Sequence, residues 1–209
     1  MTWTKVLGGA ALAAGMFAGP TLAADPPKPA PPGATVSELE VVATKMVSEL
    51  TVTAKIKCLP PQGGLRRERP KVVDVFPARG AAVRPGLLVV RVTFDQPMAC
   101  EGAFDAVPSL PNPCPGAVRD MLLSYDRKTV RTVCLVEPGK HYGYSLGEDP
   151  NAKTFIGLAG LPTESARVAF STTEGPLVTD VCQALAQDPV TAAQLRDRGT
   201  TCETPKVGG

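Results

Sequence analysis

Histidine is nearly missing from this chain of 209 residues, which holds only His141. Any Ser-His-Asp or Cys-His relay would have to run through that one imidazole. No histidine pair exists for zinc or copper, and no two cysteines stand as close as C-x-x-C, so the common metal spacings are excluded. Aromatic residues make up 5 % of the chain and are not interleaved with its basic residues, which excludes a stacking platform for single-stranded nucleic acid. Gly63-Gly64 and Gly143 fit no phosphate-cradling pattern. Charge of one sign is also lacking, with 22 basic side chains against 20 acidic. Nucleic acid and anionic membrane both select a concentrated basic surface, so neither is expected as a partner. Carboxylates adjacent in loops, Glu101 with Asp105 and Glu148 with Asp149, are read as solvated charge. A glycosidase pair instead needs two carboxylates held a fixed distance apart across a cleft.

What is present begins with an export signal. Lys5 supplies a positive start, and Val6 to Phe17 is a short run of apolar and small residues. Gly19-Pro20 breaks the run, and Thr21-Leu22-Ala23-Ala24 offers a small-residue cleavage site, so residues 1–24 are expected to be removed. The run falls short of the ~20 residues that a membrane-spanning helix needs, and the mature chain is expected not to insert. Cleavage takes one of the 22 basic side chains, Lys5, and the only tryptophan, Trp3. All six cysteines, Cys58, Cys100, Cys114, Cys134, Cys182 and Cys202, lie beyond the cut. An even count in an oxidising compartment reads as disulfides, although six cysteines allow fifteen connectivities.

Proline is abundant, at 22 residues. It fixes φ and donates no amide hydrogen, which favours short strands joined by turns over a helical bundle. Residues 25–35 form a proline-rich leader. Residues 36–57 form an eleven-residue repeat, Val36-Ser-Glu-Leu-Glu-Val-Val-Ala-Thr-Lys-Met46 followed by Val47-Ser-Glu-Leu-Thr-Val-Thr-Ala-Lys-Ile-Lys57. The second copy alternates, with Leu50, Val52, Ala54 and Ile56 on one face, and is expected to be a β-prone arm. Residues 58–70 form a linker carrying Arg66, Arg67 and Arg69.

From Pro70 to 173 the pattern is that of a β domain. Strands are expected at Val72–Phe76, Leu88–Phe94, Met121–Tyr125, Thr129–Val136, His141–Leu146 and Ala166–Ser171, with a cysteine-bearing insertion over 96–116. In Leu88–Phe94 the set Leu88, Val90, Val92 and Phe94 should face a core, leaving Val89, Arg91 and Thr93 outside. Residues 174–209 carry a short helical hairpin broken at Asp188-Pro189, with Cys182 and Cys202 flanking it and expected to bond. For the remaining cysteines the expected pairs are Cys100–Cys114 and Cys58–Cys134.

Two resemblances add to this reading. Pro70-Lys-Val-Val, Phe76-Pro77-x-x-Gly80-x-x-Val83, Val90-x-Val92-x-Phe94-x-x-Pro97-Met98, Val136-x-Pro138-Gly139-x-x-Tyr142 and Val168-Ala-Phe-Ser-Thr172 resemble bacterial Ig-like domains of the S-layer-protein type. That resemblance covers residues 70–172. It implies a mainly β fold, a single antiparallel sandwich with Tyr142 as a corner tyrosine, and neither catalysis nor cofactor. Separately, Glu40–Thr44 and Leu50–Ala54 resemble the short segment by which TonB-dependent receptors add a strand to their coupling protein, which implies Val41, Val42, Leu50 and Val52 as contact residues. The expected function is an exported, non-catalytic envelope module contacting another envelope protein. The alternatives are an accessory to TonB-dependent transport, or a small-ligand protein or enzyme using His141.

Overall fold

The computed structural model describes residues 36–51, 53–54, 68–100, 102–115, 121–148 and 155–202, with the backbone alone at 36–39 and 53–54. The expected signal, leader and most of the linker lie outside these residues, as do Val52 and Cys58.

The β domain is built on β4, Gly86–Phe94, and β7, Thr129–Val136, which pair antiparallel along their length from Gly86↔Val136 to Thr93↔Thr129. Leu122–Ser124 (β6) adds to one side of this pair and Val72–Phe76 (β2) to the other. With Thr53–Ala54 (β1) on β6, one sheet reads β1-β6-β7-β4-β2. The second sheet joins Ala82–Val83 (β3), Ala166–Thr172 (β9), His141–Leu146 (β8) and Asp105–Ala106 (β5) in the order β3-β9-β8-β5. The chain changes sheets between β2 and β3, at the cis peptide Phe76-Pro77, and β3 runs parallel to β9.

Between the sheets lies a core of Leu88, Val90, Val92, Phe94, Val130, Val136, Tyr142, Tyr144, Leu146, Val168 and Phe170. These are the alternate residues that the period of two selects. Tyr142 closes the turn before its own strand, since its hydroxyl accepts the Glu137 amide at 2.8 Å. This is the tie expected of a corner tyrosine.

The other face of the first sheet is not open to water. Three helices cover it: α1 (Val36–Thr51), α2 (Val181–Gln187) and α3 (Pro189–Asp197). They form a second core with Leu87, Val89 and Leu122, contributing Ala43, Met46, Val47, Val181, Ala184, Leu185 and Leu195. Val89 and Arg91, expected outside, are therefore buried. Leu87-Leu88-Val89-Val90 is a continuous apolar run, the signature of a strand covered on both faces.

The arm expected to be extended is a helix over most of its length. Ala43, Met46, Val47 and Leu50 recur at spacings of three and four, which places one apolar stripe against the sheet. Lys45 and Glu49, one turn apart, pair on the outer side at 4.0 Å. Burial of that stripe outweighs the β preference of the valines and threonines, whose propensity is a weaker term. Among the described residues of the arm, Thr53 and Ala54 are extended, opposite Ser124 and Leu123.

The cysteines also correct the expected pairing. Cys182–Cys202 forms as anticipated, but Cys114 bonds Cys134, which overturns both expected pairs, Cys100–Cys114 and Cys58–Cys134. Cys134 points inward from β7, and the chain after β5 folds back along β8, where the Gly143 amide donates to the Pro111 carbonyl at 3.1 Å. That path brings Cys114 into the core. Two disulfides among the described residues are the chemistry of an oxidising compartment, and no described helix is long and apolar enough to cross a membrane.

Candidate interaction surface

The connections are unequal at the two ends of the sheets. At one end the turns between β2 and β4 and between β7 and β8 are short. At the other, where β4 and β8 end and β7 and β9 begin, the chain makes its longest excursions, through 95–121 and 147–165.

These excursions are stitched together by backbone. The Met98 amide donates to the Arg127 carbonyl at 2.9 Å, Ala99 to Ile156 at 2.8 Å, and Leu158 to Pro97 at 3.3 Å. Below them Phe155 packs on Phe94 and Phe104, and Phe104 on Tyr144, with ring centroids 4.7 to 5.6 Å apart. Glycine is required at 102, because a Cβ there would lie 2.4 Å from the Phe155 ring. Arg69, read as part of a basic linker, instead donates to the Pro162 and Thr163 carbonyls. Met98 is fully buried as a packing residue.

Over this base stands the β6–β7 turn. The Ser124 hydroxyl donates to Asp126 Oδ1 at 2.5 Å, and the Lys128 amide to the same oxygen at 3.0 Å. The Thr129 amide donates to Ser124 Oγ at 2.9 Å, and Arg127 sits at φ 59°. The Ser124 hydrogen bond, aided by Lys128, holds the Asp126 carboxyl below its ordinary range. This braced turn carries Tyr125, whose side chain is 71 % exposed. Arg127 also reaches inward, its guanidinium donating to Cys100 Sγ at 3.2 Å.

The residues expected to form sites lie apart from one another. Val41 and Val42 are exposed on α1, at 71 % and 40 %, in helical rather than extended backbone, and Leu50 rests against the second core. His141 is exposed at the start of β8 opposite Ser171. Glu148 pairs with Arg167 at 2.8 Å, and that partner lowers its carboxyl. Glu101 and Asp149 lie outside the described residues. Among the described residues no group of three or more His, Cys, Asp or Glu side chains is placed to hold a metal.

Sequence reasoning missed a buried charge network under the helical hairpin. Arg91 Nε donates to Asp188 Oδ2 at 2.7 Å and its second nitrogen to Oδ1 at 3.1 Å, while its third reaches Asp74 at 2.7 Å. Asp188 is 0 % exposed, takes the Thr191 hydroxyl at 2.6 Å and caps α3 through the Val190 amide. Burial alone would lower the Arg91 pKa, but the hydrogen bonds and charges of Asp188 and Asp74 together outweigh it and raise it. Arg131, directly opposite on β7, meets the neutral oxygens of Thr191 and Gln194 among the described residues. Desolvation first, and repulsion from Arg91 second, bring it down to about 10, still charged at neutral pH. The visible signal was Asp188-Pro189, an N-cap followed by a first-turn proline, whose carboxylate needs a cation when buried. The network fixes the hairpin to the sheet. No known protein family matches the chain, and a search of characterised proteins finds no significant match.

Proposed function

We propose that this chain is an exported, non-catalytic Ig-like module of the cell envelope that binds another envelope protein through the surface around Tyr125. The observation that carries this reading is a rigid turn, braced by four hydrogen bonds, that holds an aromatic side chain in water. Preorganised aromatic side chains make efficient anchors because little entropy is lost on binding. The Ig-like reading is supported by strand order. Apart from the added edge strand β1, the orders β6-β7-β4-β2 and β3-β9-β8-β5 correspond to the D-E-B-A and A′-G-F-C arrangement of immunoglobulin sandwiches, with Tyr142 as corner tyrosine. The inferred export signal and the disulfides support an oxidising, extracytoplasmic setting.

The test is a photoreactive amino acid placed at Tyr125, and separately at exposed Val73 on β2 as a control, followed by irradiation of intact cells. A discrete protein adduct from position 125, missing from position 73, supports the reading. The same adducts from both positions, or none from either, refute it.

A further inference from the structure

The two disulfides occupy different surroundings. Cys114 and Cys134 are buried between the sheets, out of reach of a thiol. Cys182 and Cys202 are only half-buried and lie at the rim of the second core. That core is the one into which α1 inserts Ala43, Met46 and Val47.

The bond ties the first turn of α2 to the chain leaving α3. Between these points α3 turns back at Gly199, the Thr200 amide donates to the Leu195 carbonyl at 3.1 Å, and Arg198 reaches the Leu50 carbonyl near the end of α1. Thus the segment closed by Cys202 is also the segment that touches the arm. Its own inner anchor, Asp188 with Arg91, lies on the far side of the hairpin and does not depend on the sulfurs.

We infer that Cys182–Cys202 is a thiol-accessible latch that holds α1 on the sheet, and that its reduction loosens the arm while the sandwich stays closed. In the chemical step, one thiolate of a dithiol reductant attacks a sulfur of the pair and displaces the other cysteine as thiolate. The reductant's second thiol then attacks the mixed disulfide. Both cysteines leave as thiols, and the reductant, which supplies two electrons and two protons, closes as its own disulfide. The loop across 182–202 then regains freedom in its opened states, Arg198 loses its fixed position, and α1 loses that contact while its apolar stripe and the short β1 ladder remain.

The experiment is hydrogen exchange read by mass spectrometry on the mature chain during stepwise addition of dithiothreitol, with alkylation to identify the reduced pair. Of the two disulfide pairs, Cys182 and Cys202 should be reduced and alkylated first. Amides of α1 should then exchange at least ~10-fold faster, while those of β4, β7, β8 and β9 keep their protection. The double variant Cys182→Ser/Cys202→Ser should show the same pattern without reductant. Unchanged α1 protection after verified reduction overturns the inference, as does simultaneous loss of protection in α1 and the strands. Reduction of Cys114–Cys134 first overturns it too.

Discussion

Two tyrosines two residues apart on β8 separate a hydrogen bond that stabilises from a hydroxyl that does not. Tyr142 accepts the Glu137 amide, whereas the buried Tyr144 hydroxyl has no partner among the described residues, and burial raises its pKa. Tyr142→Phe should therefore cost about 1 kcal/mol, and Tyr144→Phe should be neutral or stabilising by up to ~1 kcal/mol, in urea unfolding. The arginines behave by the same logic. Asp188→Ala leaves buried Arg91 with the half-exposed Asp74 as its acidic partner among the described residues and removes the α3 cap, and should cost ~3–5 kcal/mol, while Arg131→Met removes a charge whose described partners are neutral and should cost far less. Tyr142 was legible through the resemblance carried by Val136-x-Pro138-Gly139-x-x-Tyr142, and Asp188 only as the break before Pro189. Arg91 read as solvent-facing because alternation shows which residues share a face and not what covers that face. At the surface, Asp126 has a lowered folded pKa, so its contribution is full above the unfolded value near 3.8 and is lost as pH falls through the lower folded value. The protection factor of the Lys128 amide, taken relative to the intrinsic exchange rate at each pH, should fall only in strong acid, and a fall already present at pH 6 would contradict this.

At the level of elements, the repeat shows how one motif meets two environments. Val-Ser-Glu-Leu is helical in both copies, at Val36–Leu39 and Val47–Leu50. The copies part company afterwards: Glu40-Val41-Val42-Ala43 continues the helix, while the second copy stops at Thr51, whose hydroxyl donates back to the Val47 carbonyl. The alternation seen in the sequence was real, but the same residues also fit a period of 3.6, and short apolar patterns do not separate the two. The stripe Ala43, Met46, Val47 decides for helix because the sheet beneath is apolar. Val42→Pro would remove a helical hydrogen bond and clash with the preceding turn, costing about 3 kcal/mol in α1. A strand arm exposed at this position would tolerate proline at a much smaller cost. Circular dichroism and the urea midpoint of the variant distinguish the two.

For the whole molecule, the six longer strands and the C-terminal helix pair could be read from periodicity and from Asp188-Pro189, but the two-residue strands β1, β3 and β5 and the layering could not. The pairing of Cys114 with Cys134 depends on a chain reversal along β8, and the second core joins residues from both ends of the chain. Such contacts have no local signal. They do have an energetic consequence. β4 and β7 belong to both cores, with Leu88 and Val90 facing one and Leu87 and Val89 the other. A chain cut to 68–173 keeps every strand from β2 to β9 yet strips the helices from Leu87, Val89 and Leu122, and it leaves Arg91 without Asp188. Bare apolar area of this kind promotes association, and loss of its burial removes roughly 25 cal/mol per Å². The fragment should therefore aggregate or unfold at markedly lower urea than a chain spanning 36–202, which should unfold in one oxidised transition. A fragment as stable as the longer chain would mean that the sandwich stands alone and that the helical layer is an accessory to it.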